Sequence, residues 1–452
     1  MRLLIIGLLV GILAGSASAQ RKGRKLPEKA YIESAQISIG YKDTTHLRIA
    51  MPMLDSLLIF YGAHPEAYYW MNQVAAGFVE AISSPKDKEP WVIAMAAYRD
   101  SLHRTCDNPD IKVNYRKNCK DYIERSDSTA VKFWRIFYNQ GIEQMESIDE
   151  ALKEITAETD SASKASYDET IKLSADSAMV NVALCIIIDS TDNRAYLLAG
   201  TVAEKQGDLA KSNEWLMRGL KYTTDSTQIL LQVAYNVLGE NKYCEAIPYL
   251  KQYLSHQPAD TGTLLNLTIC YNNCKMYDSA AMVHHQILAM NPNQTDALLG
   301  LGQYFNQLGI WANDSASAAR TANNDALTKK WTEHRTSLFD SSKVYFKRAY
   351  ESNPTNLVAA EEYAIVAFVT NDFAGAAAAF AKLTELEPTK SGHWISLGDA
   401  SLNMKDFKAA IAAYEKAVEL DPENRQVWES LVNLYNEEGQ PAKAAKAKEH
   451  LK

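Results

Sequence analysis

The chain has 452 residues, 47% of them hydrophobic and 23% charged, with only 20 glycines, a balance that excludes disorder and collagen-like repetition. Its net charge of −8 gives no overall electrostatic attraction to nucleic acid or anionic lipid. Length alone suggests about three domains, but an array of repeated units grows by addition and forms one body.

In chain order, Leu3 to Gly15 form an apolar run after Arg2, and Ala17-Ser18-Ala19 supplies the small residues of a signal-peptidase site, with Gln20 as the mature start. The run is shorter than the ~20 apolar residues of a membrane span, so residues 1–19 read as a signal peptide, with a retained anchor as the alternative. No cysteine follows that would carry a lipid, and no second apolar stretch reads as long enough to span a bilayer. Cleavage leaves a net charge of −9, since Arg2 is lost. The expected location is exported: periplasmic or secreted, of bacterial type, without membrane insertion. The cluster Arg21, Lys22, Arg24 and Lys25 reads as a solvated terminus.

Residues 20–192 read as a helical region of degenerate repeats. Asp43 to Phe60 reads as a second helix closed by Pro65, and Glu66 to Glu80 as the next first helix. Val131 to Ile148 pairs with Ser174 to Ile188, where Ala178 and Val182 hold core places. Between them Glu154 to Ser166 has no apolar face and reads as a loop or solvated helix extension.

From residue 193 a fixed period takes over. Pro258 to Pro292, Pro354 to Pro388 and Pro388 to Pro422 are each 34 residues apart, while Pro292 to Pro354 is 62, one period plus 28. Units begin at Asn193, Thr227, Thr261, Thr295, Leu357, Ser391 and Arg425. Their fourth residue is Trp394 or Trp428, the seventh and eighth are Leu301-Gly302 or Leu397-Gly398, and the eleventh is Tyr271, Phe305 or Tyr435. An alanine recurs at the twentieth place (Ala246, Ala280, Ala376, Ala410, Ala444) and an aromatic at the twenty-fourth (Phe346, Phe380, Tyr414). This pattern resembles the tetratricopeptide repeat. The resemblance implies an all-α, right-handed α-solenoid of stacked helix-turn-helix units over 193–452, interrupted at about 312–338. The insertion, opening on the polar run Asn313 to Asn324, is expected to lengthen the second helix so that it projects, anchored by Trp331.

The same register orders the cysteines. Cys244 and Cys274 fall where first and second helices join and are expected to bond, and Cys106 and Cys119, flanking Asn108-Pro109-Asp110, form a second candidate pair. Cys270, one turn before Cys274, either competes or fills the core, and Cys185 reads as a buried thiol. No zinc spacing accompanies these cysteines, and His284-His285 are neighbours that point apart on a helix, so no metal is expected. Phosphate loops, the His-Glu-x-x-His motif and Gly-x-Ser-x-Gly are missing, Gly300-Leu301-Gly302 lies inside a first helix, and neither catalysis nor a cofactor is expected.

In the resembled family the second, fifth, ninth, twelfth and thirteenth residues face a concave groove that binds peptides. Here they include Tyr235 and Leu238; Ile269, Asn272 and Asn273; Gln303, Asn306 and Gln307; Ile365 and Phe368; Asp399 and Asn403; Asn433 and Asn436. Carboxamides both donate and accept, so such a row suits the backbone of an extended chain. The basic set that grips a terminal carboxylate is missing apart from Arg194. The expected function is a non-catalytic scaffold or assembly factor of the cell envelope, with a protein or peptide partner. The alternative is a glycan-binding protein, with Tyr68, Tyr69 and Trp70 as stacking candidates; an enzyme with a scattered site is a third reading.

Overall fold

The computed structural model describes residues 25–157 and 160–451, and all regular structure among them is helical. The signal segment, residues 1–19, lies outside the described residues. The chain forms two compact units, one ending at Glu240 and the other starting at Asn241.

In the first unit, helices Glu28–Gly40, Thr44–Tyr61, Pro65–Ala81 and Pro85–Asp107 precede the long pair Cys119–Ala157 and Ser161–Ile188. Starts are set by local chemistry: the Asp43 carboxylate accepts the His46 N–H at 2.9 Å, and Pro65 opens its helix where no N–H is needed. Most of the stretch 154–166 is helix extension, since Ala157 ends one helix and Ser161 begins the next. The long pair buries Phe133, Trp134, Phe137 and Ile148 with Ala178, Val182 and Ile188, and the same core takes in Ala195, Leu198 and Val202 beyond residue 192. Ser161–Ile188 is, by length and composition, apolar enough to cross a membrane, which corrects the reading that no second stretch is. Its apolar content has a packing cause here, because Ala175, Ala178, Val182, Cys185 and Ile188 are all core residues.

Helices begin at Asn193, Thr227, Thr261, Thr295, Leu357, Ser391 and Arg425, the seven starts read from the period. An uninterrupted pair is typified by Ser391–Asn403, 13 residues, and Phe407–Leu420, 14 residues. The turn inside each pair has one recurring cause. Its fifteenth residue, or Asn323 in the interrupted unit, is left-handed with φ between 54° and 77°: Gly207, Asn241, Lys275, Asn371, Lys405 and Gly439. That bend lets the next N–H reach back five residues, from Asp372 to the Ala367 carbonyl at 2.8 Å and from Asp406 to that of Ser401 at 3.0 Å, closing the first helix. The same aspartates then cap the second helix, accepting from Gly375 at 3.1 Å and Ala409 at 3.1 Å. One residue thus ends one helix and starts another.

The periodic proline has a second use besides stopping the helix. Its carbonyl accepts the indole N–H of the fourth-place tryptophan, Trp394 to Pro388 at 3.0 Å and Trp428 to Pro422 at 2.8 Å. Within two pairs of the second unit the backbones meet across small residues. A methyl on Gly302 would lie 2.4 Å from the Phe346 ring, and one on Gly398 would lie 2.4 Å from Tyr414. The twentieth-place alanines are all buried, and Ser212 and Ser342 take that place in the two units that lack alanine. Ser342 donates to the Gly302 carbonyl at 2.8 Å.

The insertion lengthens both helices rather than the second alone. They span Thr295–Thr321, 27 residues, and Asp325–Ser352, 28 residues, so each gains 14 over its uninterrupted counterpart. The run that reads as polar hides a seam: Ala312, Ala316 and Ala319 fall at i, i+4 and i+7 and are buried, which lets the helices close on each other. Arg335 donates to Asn313 at 3.0 Å across the pair, and Trp331 is half-buried beside His334. Disulfides join Cys106 to Cys119 and Cys244 to Cys274, while Cys185 and Cys270 are buried free thiols. The second bond fastens the second helix of one repeat to the end of the next repeat's first helix.

Two opposite stability changes test the turn. Asp406→Ala is expected to cost about 1 kcal/mol through the lost cap, and Lys405→Gly to add roughly 0.5–1 kcal/mol by relieving the left-handed backbone; urea unfolding followed by circular dichroism measures both.

Candidate binding face and cleft

The structure places the expected face residues as follows. In the first unit Tyr235 is exposed and Leu238 half-buried. In the second, Ile269, Asn272, Asn273, Gln303, Gln307, Asn403, Asn433 and Asn436 are exposed, with Asn306 and Phe368 half-buried. Ile365 and Val369 are 49% and 56% exposed, and Val369 holds the thirteenth place of its repeat, a face position not named among the candidates. Two carboxamides are partly used at home: Asn273 and Asn403 donate to the carbonyls of Ile269 and Asp399, at 2.9 and 2.8 Å, leaving their oxygens free to accept. Gln303 lies beside Glu362, whose carboxyl is pushed up by burial.

Asn272, Gln303 and Gln307 converge on a cleft of about 270 Å³, whose other walls include Tyr277, His284, Gly300, Tyr304 and Trp311. No carboxylate, ammonium or guanidinium lines it. The Tyr304 hydroxyl is held by Asp278 at 2.8 Å, and the rings of Tyr277 and Trp311 meet edge to face at 5.8 Å.

His284 explains why the cleft exists. It occupies the twenty-fourth place, where three other repeats carry Phe346, Phe380 and Tyr414, the first and last leaning on the eighth-place Gly302 and Gly398. Its own repeat has Thr268 at the eighth place, buried and with its hydroxyl bonded to the Leu265 carbonyl at 2.7 Å. The imidazole lies instead over Gly300 of the following repeat, where a methyl would come 2.1 Å from Nε2. The side chain is 4% exposed, and Nδ1 has no hydrogen-bond partner. Burial pushes its pKa down to about 4, with His285 acting in the same direction and Asp296 opposing, so the ring is neutral at neutral pH.

Other expected candidates go elsewhere. Arg194 is bound to Asp192 at 3.0 and 2.6 Å and lies 4.2 Å over the Trp134 ring, which ties up that cation. Tyr69 is buried and stacks on Tyr122 at 4.8 Å, so Tyr68, Tyr69 and Trp70 do not form an exposed platform. Among the described residues no three His, Cys, Asp or Glu side chains converge as metal ligands.

The sign of the pH effect follows from the depressed histidine. Between its ordinary pKa near 6.5 and its folded value of about 4, the unfolded chain binds a proton that the folded chain does not, so stability falls as pH drops through this window. Wild type is expected to lose up to roughly 3 kcal/mol from this group between pH 7 and pH 4, a loss absent in His284→Phe; parallel urea titrations of the two proteins across that range measure the difference.

Comparison with known proteins adds three findings. A family description of the tetratricopeptide repeat matches residues 394–424. The protein O-mannosyl-transferase Tmtc3 of Drosophila melanogaster is 24% identical over 114 residues, 25% of this chain, and the chain spans only 12% of that protein. Among solved structures, MamA aligns with 42% of this chain and 89% of its own at 18% identity and a TM-score of 0.32. YrrB, described as a TPR protein with an unusual peptide-binding site, aligns with 47% of this chain and 95% of its own at 15% identity and a TM-score of 0.29. The chain therefore carries a matched tetratricopeptide repeat at residues 394–424, and helices elsewhere in the chain begin on the same 34-residue register.

Proposed function

We propose that this protein is a non-catalytic scaffold that holds an extended segment of a partner protein along the first-helix face of its second unit. The observation that carries the reading is the mixture on that face. Exposed Ile269, Ile365 and Val369 offer apolar area, and Asn272, Gln303, Asn433 and Asn436 offer donors and acceptors beside it. An extended backbone needs both. The signal-like residues 1–19 and the two disulfides favour an exported, oxidising setting such as the bacterial cell envelope, where an assembly factor would meet its partner. A second reading, a sugar ring in the cleft, draws on Trp311, 45% exposed beside Tyr277.

Photo-crosslinking in cells that make the protein tests the face. Benzoylphenylalanine in place of Ile365 is expected to give a discrete protein adduct, and the same group in place of the exposed Lys416 on a second helix is expected to give none. Equal adducts from both positions, or none from Ile365, would count against the face.

A further inference from the structure

We propose that the cleft between the repeats beginning at Thr261 and Thr295 is an anchor subsite for one uncharged carboxamide side chain, Asn or Gln, of the bound segment. This rests on the first-helix face being a peptide-binding face, and names what one of its sites selects.

Three observations carry it. The first is charge: neither a ligand carboxylate nor a ligand ammonium would find a counter-charge among the lining residues. The second is an unmet hydrogen bond. A buried polar atom without a partner is uncommon in a folded protein, and His284 Nδ1 is one, in a side chain that lines a cleft whose other polar walls include Asn272, Gln303, Gln307 and Tyr304. A neutral imidazole donates at one nitrogen and accepts at the other, the three carboxamides donate at nitrogen and accept at oxygen, and a carboxamide occupant matches such walls with a donor and an acceptor on a single flat group. The third is size and position. A cleft of about 270 Å³ has room for one side chain of the bound segment. Asn272, Gln303 and Gln307 belong both to the exposed face and to the cleft wall, so a chain crossing the face passes over its mouth.

The ring of His284 and the indole of Trp311 report occupancy directly. The purified protein, labelled at histidine Cε1 and tryptophan indole nitrogen, is titrated with N-acetyl-glutamine methylamide, its glutamate and lysine counterparts, and methyl β-glucoside, with NMR as the readout. The glutamine probe is expected to move both signals saturably, at a concentration about tenfold below the charged probes. Gln307→Ala is expected to weaken it several-fold, and Gly300→Ala, by driving the imidazole into the cleft, to abolish it. Should Gly300→Ala lose its helical spectrum, Gln307→Ala with Asn272→Ala decides alone. Equal response to glutamate or lysine, indifference to Gln307→Ala, or silence with every probe would overturn the subsite. Preference for the glucoside would overturn it in favour of a sugar site. If the probes are silent while the Ile365 crosslink persists, the subsite is wrong and the peptide face stands; a saturable glutamine response without a crosslink would mean that the subsite stands and the extended face does not.

Discussion

Everything in the repeated part of this chain depends on how closely two helix backbones approach. A single helix pair leaves an apolar face uncovered, and only a neighbour of the same kind covers it. Close approach requires a small residue opposite a large one, as Gly302 meets Phe346 and Gly398 meets Tyr414. The fixed register serves that requirement, because a shift of one residue would set Leu397 or Asp399, in place of Gly398, against the Tyr414 ring. The left-handed fifteenth residue and the proline carbonyl serve the same end: they return the chain to the next pair at the correct step.

Local departures from that rule are where the molecule acquires individuality. The repeat beginning at Thr261 has a threonine at the place that is glycine or alanine in every other repeat but the last, where it is Val432, and a histidine where three others have Phe346, Phe380 and Tyr414. The ring then leans on the next repeat instead of its own, and Gly300 is the residue that permits it. A polar, partly unsatisfied seam opens between two repeats that would otherwise be sealed by hydrocarbon. The same repeat is tied to its predecessor by Cys244–Cys274, so the irregular seam lies beside the most firmly fastened one.

Much of the fold is legible in the sequence because its determinants are local and repeated. Proline, glycine and alanine at fixed offsets give helix ends and close contacts without any knowledge of distant partners, and the seven starts fall where the period puts them. The exposed row on the first helices is legible for the same reason. The cleft is not: His284 reads in sequence as one of two adjacent histidines, and its role depends on which neighbour the ring rests against. Likewise the alanines of the insertion read as a polar run's filler, since a buried seam is visible only against the helix that covers it. The apolar character of Ser161–Ile188 escapes the sequence reading because Ser, Asn and Asp interrupt it along the chain while its core face remains continuous.

The lengthened pair Thr295–Thr321 and Asp325–Ser352 carries the chain 14 residues out and 14 back, a reach of about 21 Å at helical rise. Its base is the same first helix that bears Gln303 and Gln307. A partner gripping both the base and the tip would be held at two points by one stiff lever. The second contact would then form at the high local concentration that tethering confers rather than from free solution. Two weak contacts joined in this way give slow release, and either one can be given up without losing the other.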